Sequence, residues 1–500
     1  MQDVVIAFLK SPDWQSGGGP VEVVQTHGAL IFLGDTAALK IKRAVKYDYM
    51  DFSTLDRRKA MLLRELDLNR PTAPEIYRDV VPVTRQADGH LALDGDGTPV
   101  EWVLRMWRFP NADELATIAE TRGIDDTLAR DLGAVVFDYH AQAPQRDADG
   151  ATGIRDILDG LDRSFATMTV PLGAGAIDRF HHDSRAMLDR VAGVLRQRAA
   201  TGHVRRCHGD LHLGNLVLVK DRPVPFDALE FDEALGTCDV LYDLAFLIMD
   251  LLHRAQDRAA NIALNAYLLA AKGGEDDGLA ALPLFLAIRA AIRAMVSVQT
   301  TLATGTPPNN EAERYLQAAV AFLRPEPASL VLIGGLSGTG KTAVSRALAP
   351  SIGPPPGAVH LRTDLERKVM HDKPAEDRLT AEAYTSAARQ AVYHRMFARA
   401  ERILGAGQSV LLDATFLDPA CQADARLLAD KSKVALRALW LDAPLPVLLD
   451  RVRARQRDAS DADETVVQQQ VKTCQPPAGW RIVSAAGPLD DTVRQARLAL

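Results

Sequence analysis

A glycine-rich segment in the last third of this 500-residue chain constrains its fold more than any other feature. Residues 335–342 match the pattern G-x-x-x-x-G-K-[ST] in full, between an apolar run at 330–333 and a helix-like run at 343–348. Glycines let backbone N–H groups curl around phosphate oxygens, and the N-terminus of the following helix adds a partial positive charge. The pattern therefore predicts a nucleotide phosphate site on a strand–loop–helix unit.

The side chains of this segment have distinct expected roles. Lys341 is expected to reach the β- and γ-phosphates and to act in catalysis, and Thr342 to ligate Mg²⁺. Asp413 ends the apolar run SVLLD, where a second metal-binding carboxylate is expected. The remaining residues of the loop that we expect to contact the nucleotide are Gly335, Ser337, Gly338, Thr339 and Gly340.

The C-terminal region has the pattern of an α/β domain with a parallel sheet. The buried strand-like runs SLVLIGG, SVLLDATF and VALRALWLDA alternate with helical segments. The segment RPEPAS at 324–329 contains two prolines and is a candidate linker. We therefore predict one domain at 1–324, with a first lobe at about 1–110 and a helical lobe at about 111–324, and a second domain at 329–500. Cutting the linker is expected to give two separately folded pieces.

The segments GGLSGTGKT, LRTDLERK, LLDATF and RVRARQRDASDAD resemble those of the small P-loop kinases. This group includes gluconate and shikimate kinases, the kinase domain of polynucleotide kinases, and zeta-type toxins. The resemblance implies that Asp364 contacts the acceptor hydroxyl, often as a base. It also implies that Arg367 anchors the substrate, with Arg426 as a weaker candidate anchor.

Four arginines alternate along the segment at 451–457. Arg451 and Arg455 share a helical face, so a lid here could close guanidinium groups over the transferring phosphate. The alternative is an ordinary solvated basic face.

A second candidate phosphate site lies in the N-terminal region, at HGDLHLGN, with Asp227 twelve residues further on. These residues resemble the catalytic core of the aminoglycoside/choline phosphotransferases, which are relatives of protein kinases. The spacing from Asp210 to Asn215 equals that in H-R-D-x-x-x-x-N. Asp210 would then orient and deprotonate the acceptor hydroxyl, while Asn215 and Asp227 would hold Mg²⁺ on the nucleotide phosphates.

The residues before this site contain other parts of a kinase-like lobe. Lys40 and Lys42 lie two apart on a predicted strand and therefore face the same way. We favour Lys40 for the α- and β-phosphates and Glu65 as its ion-pair partner. Glu65 lies in a predicted helix at 55–69, with Ser53 or Thr54 as the cap. The strand pair before Lys40 lacks G-x-G-x-x-G, so nucleotide affinity in this half is an open question.

The order of THGALIFLGD, ALKIKR, YDYMDFSTLDRR and RELDLNR ahead of HGDLHLGN resembles a bacterial branch that fuses such a domain to a P-loop kinase. The resemblance implies a two-lobed protein-kinase-like domain followed by a P-loop NTPase domain, in a mixed α/β and α+β chain. The implied cofactors are ATP and Mg²⁺.

Composition restricts the partners and the compartment. The net charge of −7 argues against a strongly basic nucleic-acid binder. Four cysteines, at 207, 238, 421 and 474, form no C-x-x-C pair, which favours a reducing cytoplasm. The longest apolar candidate, at 240–252, is broken by Asp243 and Asp250, so no membrane span is expected.

The sequence thus predicts a cytoplasmic phosphotransferase with two ATP sites that acts on hydroxyl groups of small molecules such as sugars, aminoglycoside-like compounds or metabolites. Residues 1–328 have a net charge of −11, which would suit a cationic acceptor. Two alternatives stay open. The P-loop half could phosphorylate the 5′-hydroxyl of a nucleic acid, or one half could be a nucleotide-sensing regulatory module.

Overall fold

The computed structural model describes residues 2–15, 17–26, 28–47, 50–305, 310–454, 459–473 and 475–500. These residues form two compact units. The first unit comprises Met1–Gly150 and Ala199–Asp250, and the second comprises Ala151–Arg198 and Leu251–Leu500. Of the predicted residues, Arg455 and Cys474 lie outside the described part of the chain, whereas Cys207, Cys238 and Cys421 are buried free thiols.

The strands, in chain order, are β1 Glu22–Gln25, β2 Ala29–Leu33, β3 Ala37–Lys42, β4 Lys46–Tyr47, β5 Met50–Asp51, β6 Tyr77–Arg85, β7 Leu91–Leu93, β8 Thr98–Trp107, β9 Val204–Arg206, β10 Leu216–Val219, β11 Arg222–Pro225, β12 Thr237–Asp239, β13 Ser329–Gly335, β14 Val359–Arg362, β15 Val410–Asp413, β16 Ala435–Asp442 and β17 Arg481–Ser484.

The helices are α1 Gln2–Lys10, α2 Leu55–Asn69, α3 Leu115–Thr121, α4 Asp126–Gln142, α5 Gly150–Phe165, α6 Thr169–Leu172, α7 Ala174–Ala200, α8 Glu233–Gly236, α9 Val240–His253, α10 Asp257–Ala270, α11 Leu282–Thr304, α12 Glu311–Phe322, α13 Lys341–Leu348, α14 Thr363–Met370, α15 Ser386–Gly405, α16 Pro419–Ser432, α17 Leu445–Arg453, α18 Glu464–Thr473 and α19 Leu489–Ala499.

An antiparallel six-stranded sheet, in the order β1-β2-β3-β8-β6-β7, organises the first unit. Residues alternate between its two faces. On β3, Leu39 and Ile41 face one apolar cluster that includes Val5 and Leu9 of α1. Ala38 faces the other cluster, which contains α2. Because Lys40 and Lys42 share the parity of Ala38, the alternation directs both lysines towards the side of the sheet covered by α2.

Helix α2 has the bounds that the sequence predicts, and its cap is Thr54, whose hydroxyl accepts a hydrogen bond from the Arg57 N–H. A buried ion pair fixes this helix to the sheet. The Arg58 guanidinium donates to the Glu101 carboxylate of β8 at 2.9 and 3.0 Å. The helix therefore presents Glu65 to β3 from a fixed position.

A parallel five-stranded sheet, in the order β14-β15-β13-β16-β17, organises the C-terminal part of the second unit. The central strand β13 is buried along its whole length, as expected for a strand with neighbours on both sides and helices on both faces. The carboxyl ends of β13, β14 and β15 lie side by side, since Ile333 and Arg362 both pair with Asp413. The predicted mixture of helices and strands, with a parallel sheet in the C-terminal region, is confirmed.

Helical residues Asp276–Ala303 are long and apolar enough to cross a membrane. Two thirds of the most apolar window, 67%, is nevertheless buried inside the structure. Burial against protein explains the apolar composition of this helix as that of a core element.

A buried ion-pair network in the second unit spans the predicted linker. The Arg399 guanidinium of α15 donates to both carboxylate oxygens of Asp276 at 2.8 and 2.9 Å, and to Glu366 of α14 at 2.6 Å. Arg402 also donates to Asp276, at 2.9 Å. Residues on both sides of 324–329 therefore share one buried cluster, and the predicted boundary remains a prediction.

The sequence alone predicts that a cut in 324–329 separates two folded pieces. Because of this network, we instead expect a protease cut engineered there to leave the two pieces associated. Size-exclusion chromatography of the cut protein should show one species of unchanged size.

Asp276→Asn should lower the free energy of unfolding by about 3–5 kcal/mol, the usual cost of removing one partner of a buried ion pair.

Asp277→Asn is the matched control, because Asp277 is the exposed neighbour of Asp276. Two separate species after the cut, each with native helix content, would show that the linker divides independent domains.

Candidate functional sites

Two lysines and three acidic residues meet beneath β3 in the first unit. The Lys40 ammonium donates to Glu65 and to Asp227, each at 2.7 Å. Lys42 donates to Glu65 at 2.6 Å and to Glu230 at 2.5 Å. Burial alone would lower the pKa of Lys40, but the Asp227 and Glu65 carboxylates outweigh it and raise that pKa well above its ordinary value. Lys40 is therefore a fixed cation, and it alone of the two lysines contacts Asp227.

The loop after β9 places Asp210 and Asn215 together. The Asn215 amide donates to the backbone carbonyl of Asp210 at 2.9 Å and to its carboxylate at 3.0 Å. Gly209 has a φ of 85°, a conformation that favours glycine. The Asp210 carboxylate is about half exposed, as a group that meets an acceptor must be.

Asp243, near the start of α9, holds the shape of this loop. Its carboxylate accepts hydrogen bonds from the His208 N–H at 3.0 Å and the Gly209 N–H at 2.9 Å. The His140 ring lies 3.1 Å from the same carboxylate. Asp243 thus braces the loop that contains Asp210, and His140 is a partner that the motifs do not reveal.

The segment around Asp227 is hydrogen-bonded to β6 and α2. The Asp227 N–H donates to the Tyr77 hydroxyl at 2.9 Å, and the Ala228 N–H donates to the Asn69 side chain at 2.8 Å. Burial alone would raise the pKa of Asp227, but Lys40 outweighs it and lowers that pKa. Asp227 is thus held ionised, and carboxylate and amide oxygens such as those of Asp227 and Asn215 fit a hard divalent cation. Tyr77 lies in none of the segments quoted for the resemblance, and Asn69 lies in one of them, RELDLNR, which gives no sign of this contact.

In the second unit, the P-loop joins β13 to α13. Gly338 and Gly340 have φ values of 90° and 86°, and a Cβ on Gly338 would lie 2.8 Å from the Leu448 carbonyl oxygen. The Lys341 ammonium donates to the carbonyl oxygens of Gly335 and Leu336, at 2.9 and 3.0 Å. The loop therefore has the curled backbone that the pattern predicts, with its lysine held at the loop.

Thr342 and Asp413 meet at the carboxyl end of the sheet. The Thr342 hydroxyl donates to the Asp413 carboxylate at 2.7 Å, and the His360 ring lies 3.3 Å from the same oxygen. Burial alone would raise the pKa of Asp413, but His360 and Arg362 hold it well below its usual range. A hydroxyl and an ionised carboxylate in contact fit a Mg²⁺ site. The structure brings Thr342 and Asp413, the two predicted metal ligands, into contact, and His360 is a neighbour that the sequence motifs do not reveal.

The predicted acceptor residues lie at the start of α14. The Arg367 guanidinium donates to the Asp364 carboxylate at 3.1 Å and stacks over the Tyr384 ring, 4.8 Å from its centroid. The next residue, Lys368, donates to Asp461 at 2.9 Å. Asp461 also accepts hydrogen bonds from the Tyr384 hydroxyl and the Leu379 N–H. Asp461 belongs to the predicted lid segment, so these hydrogen bonds join that segment to α14, which contains the predicted acceptor residues.

The other predicted arginines lie apart from the P-loop contacts just described. Arg451 donates to the backbone carbonyls of Ala485 and Gly487, at 2.8 and 3.1 Å. Arg426 donates to the Ala478 carbonyl at 3.3 Å and lines a small cavity beside Trp480. Their roles at nucleotide and acceptor remain predictions.

A glutamine that the motifs do not reveal contacts the P-loop. The Ser337 N–H donates to the side-chain oxygen of Gln470 on α18, at 2.9 Å. Gln470 lies in a run of three glutamines, whose composition gives no sign of this contact. Gln470 lies 133 residues after Ser337, so only the tertiary structure brings it to the P-loop.

Comparisons with known proteins agree with this organisation. Residues 330–477 match a family model described as AAA domain, which confirms the predicted P-loop domain. The chain is 29% identical over 490 residues to an uncharacterized protein of Mycobacterium tuberculosis, covering 95% of this chain and 94% of that protein. That relative therefore extends across both halves.

Two solved structures are similar to separate parts of the chain. A choline/ethanolamine kinase family protein from Mesorhizobium loti is 17% identical, covers 65% of this chain and 99% of its own, and has a TM-score of 0.38. A gluconokinase from Sinorhizobium meliloti 1021 is 24% identical, covers 35% of this chain and 94% of its own, and has a TM-score of 0.26.

Asp210 and Asp227 should separate phosphoryl transfer from nucleotide binding. Asp210→Ala should lower transfer ~10²–10⁴-fold, the usual effect of a positioned general base, with little change in nucleotide affinity. Asp227→Ala should lower both, because Asp227 is the predicted metal ligand and a partner of Lys40. Isothermal titration with Mg·ATP would compare the two variants with their parent, all in full-length protein carrying Lys341→Ala, so that the P-loop is identical throughout and a change in affinity reports this site. Equal affinity losses in the two variants would contradict the division of roles.

Lys40 and Lys42 form a matched pair for a second test. Lys40→Met should weaken Mg·ATP binding more than Lys42→Met, because Lys40 alone of the two contacts Asp227. Both substitutions remove one buried cation from the same strand face, so a difference in affinity reports the contact with the Asp227 segment. A larger affinity loss for Lys42→Met would identify Lys42 as the phosphate-binding lysine.

Lys341→Ala should lower nucleotide turnover at the P-loop ~10²–10³-fold, the usual effect of removing one group that stabilises transition-state charge. Thermal unfolding should hardly change, since Lys341 contacts carbonyls of its own loop. The background variant is Asp227→Ala, which removes the other site. Near-normal turnover would contradict the P-loop assignment.

Proposed function

We propose that this chain is a phosphotransferase with two nucleotide sites, each of which transfers a phosphoryl group from ATP to a hydroxyl group of a small molecule. The contact between Thr342 and Asp413 beneath a complete P-loop is the observation that carries the proposal in the second unit. In the first unit, the proposal is supported by the contacts of Lys40 with Glu65 and Asp227. Asp227 follows the Asp210 loop closely in the sequence.

In the first unit, bound Mg·ATP would supply the phosphoryl group to be transferred. Lys40 would contact the phosphates, while Asp227 and Asn215 would hold the metal ion. Asp210 would orient the acceptor hydroxyl and take its proton. The hydrogen bond from Asn215 to Asp210 fixes the angle of that carboxylate, so base and metal ligand keep a constant separation.

In the second unit, Lys341 and the backbone N–H groups of the P-loop would hold the phosphates, with Thr342 and Asp413 at the metal ion. Asp364 would orient the acceptor hydroxyl, and its contact with Arg367 at 3.1 Å fixes the direction of the carboxylate. Asp461, joined to Lys368 and Tyr384, would hold the lid over the same region and exclude water from transfer.

The expected acceptors are small molecules with a hydroxyl group. The names of the similar proteins, a gluconokinase and a choline/ethanolamine kinase family protein, suggest a first panel of sugar acids, sugars, aminoglycosides and amino alcohols. A 5′-hydroxyl oligonucleotide completes the panel, because polynucleotide kinases are among the resembling families. The protein is expected to work in the cytoplasm.

The decisive experiment measures transfer from radiolabelled ATP to this panel and to a metabolite extract. Full-length protein, Lys341→Ala, Asp227→Ala and the double variant would be compared. Transfer lost only in the double variant supports two active sites. Transfer that one single variant abolishes completely, while the other has no effect, would show that one half is regulatory. Labelling of the oligonucleotide alone would replace the small-molecule proposal with polynucleotide kinase activity.

A further inference from the structure

Three arginines from separate elements of the first unit converge on one carboxylate, Glu233 at the start of α8. Arg146, after α4, donates to it at 3.0 and 3.1 Å. Arg206, at the end of β9, donates at 2.9 Å. Arg64 of α2 also donates to Glu233. We call these four residues the Glu233 cluster.

Each side of the Glu233 cluster is attached to a different part of the candidate site. Arg64 directly precedes Glu65, the partner of Lys40. Arg206 also donates to the carbonyl oxygen of Cys207, at 2.6 Å, just before the loop that contains Asp210. A further Arg206 hydrogen bond reaches the carbonyl of Leu229, two residues after Asp227.

Glu233 supplies the one negative charge of this four-residue cluster. Three guanidinium groups surround one carboxylate, and the Arg206 side chain is only 2% exposed. Burial alone would raise the pKa of Glu233, but Arg146 and Arg206 outweigh it and lower that pKa. Glu233 therefore stays ionised, and its removal would leave three like charges facing one another, one of them buried.

We propose that Glu233 is a positioning residue for the nucleotide site of the first unit. Its fixed negative charge holds α2, the Asp210 loop and the Asp227 segment in the arrangement in which Lys40 contacts both Glu65 and Asp227. The site is thus assembled by a carboxylate built into the sequence, with no need for an added charge such as a phosphoryl group on this segment. The consequence for nucleotide affinity rests on the proposed function.

The test uses full-length protein carrying Lys341→Ala in every variant, so that the P-loop is the same throughout and differences in Mg·ATP binding report the first unit. Glu233→Gln keeps the shape and removes the charge, and Glu233→Asp keeps the charge. Glu75→Gln, at an exposed glutamate, is the matched control. We expect Glu233→Gln to weaken Mg·ATP binding about tenfold, on the scale of coupling within an ion-pair network. Glu233→Asp should recover most of the loss.

A second measurement does not depend on nucleotide binding. Hydrogen exchange of α2 should become faster in Glu233→Ala and return towards the parent rate with millimolar sulfate, whereas sodium chloride at equal ionic strength should have no such effect. An anion that replaces a lost carboxylate is a response that a purely steric role would not give. Sulfate should leave Glu75→Gln unchanged.

The outcomes separate the two proposals. Parent protein that binds no Mg·ATP would contradict the proposed function of this half, while the exchange measurement would still decide the role of Glu233. Unchanged α2 exchange in Glu233→Gln, or exchange in Glu233→Ala that sulfate does not slow, would overturn the positioning role. Circular dichroism identifies any variant that fails to fold, and Glu233→Gln, the least disruptive substitution, then decides.

Discussion

The first unit depends on keeping the Lys40 ammonium charged inside a buried sheet face. An unpaired ammonium there would lose its proton or destabilise the fold, because burial strongly disfavours a lone charge. Glu65 and Asp227 remove that cost, and each of them comes from a different element. Helix α2 and the segment after β11 are therefore held at the sheet by the same charge that is expected to contact phosphate. Fold stability and site geometry share one interaction.

Buried ion pairs also organise the second unit, but there two buried carboxylates share one arginine. Asp276 and Glu366 are buried carboxylates, and Arg399 satisfies both. Glu366 lies between Asp364 and Arg367 on α14, so the network that joins residues before and after the predicted linker also fixes the helix expected to bind the acceptor. The prolines at 324–329 indicate a change of chain direction, but they carry no information about ion pairs formed by distant residues.

Individual residues show how far sequence analysis reaches. Thr342 and the glycines of the P-loop are predictable because a phosphate loop needs fixed spacing over a few residues. Asp413 is predictable because it ends an apolar strand-like run, and the α2 cap, narrowed to Ser53 or Thr54, depends only on neighbouring residues. Lys40 and Lys42 share a strand face, so the strand pattern makes both lysines candidates and cannot separate them. Contacts of Gln470, Asp461 and Glu233 escaped prediction, because each joins elements far apart in the chain and no local pattern accompanies them.

By itself, the sequence determined the element types, the parallel P-loop sheet and the residues that follow strand ends, because these depend on periodicity and local spacing. The tertiary structure alone decided which lysine contacts Asp227, which residues brace the Asp210 loop, and which charges surround Glu233. It also decided that residues before and after 324–329 share a buried network. The physical reason is that a buried charge is satisfied by whatever partner the packed backbone brings within about 3 Å, at any sequence separation.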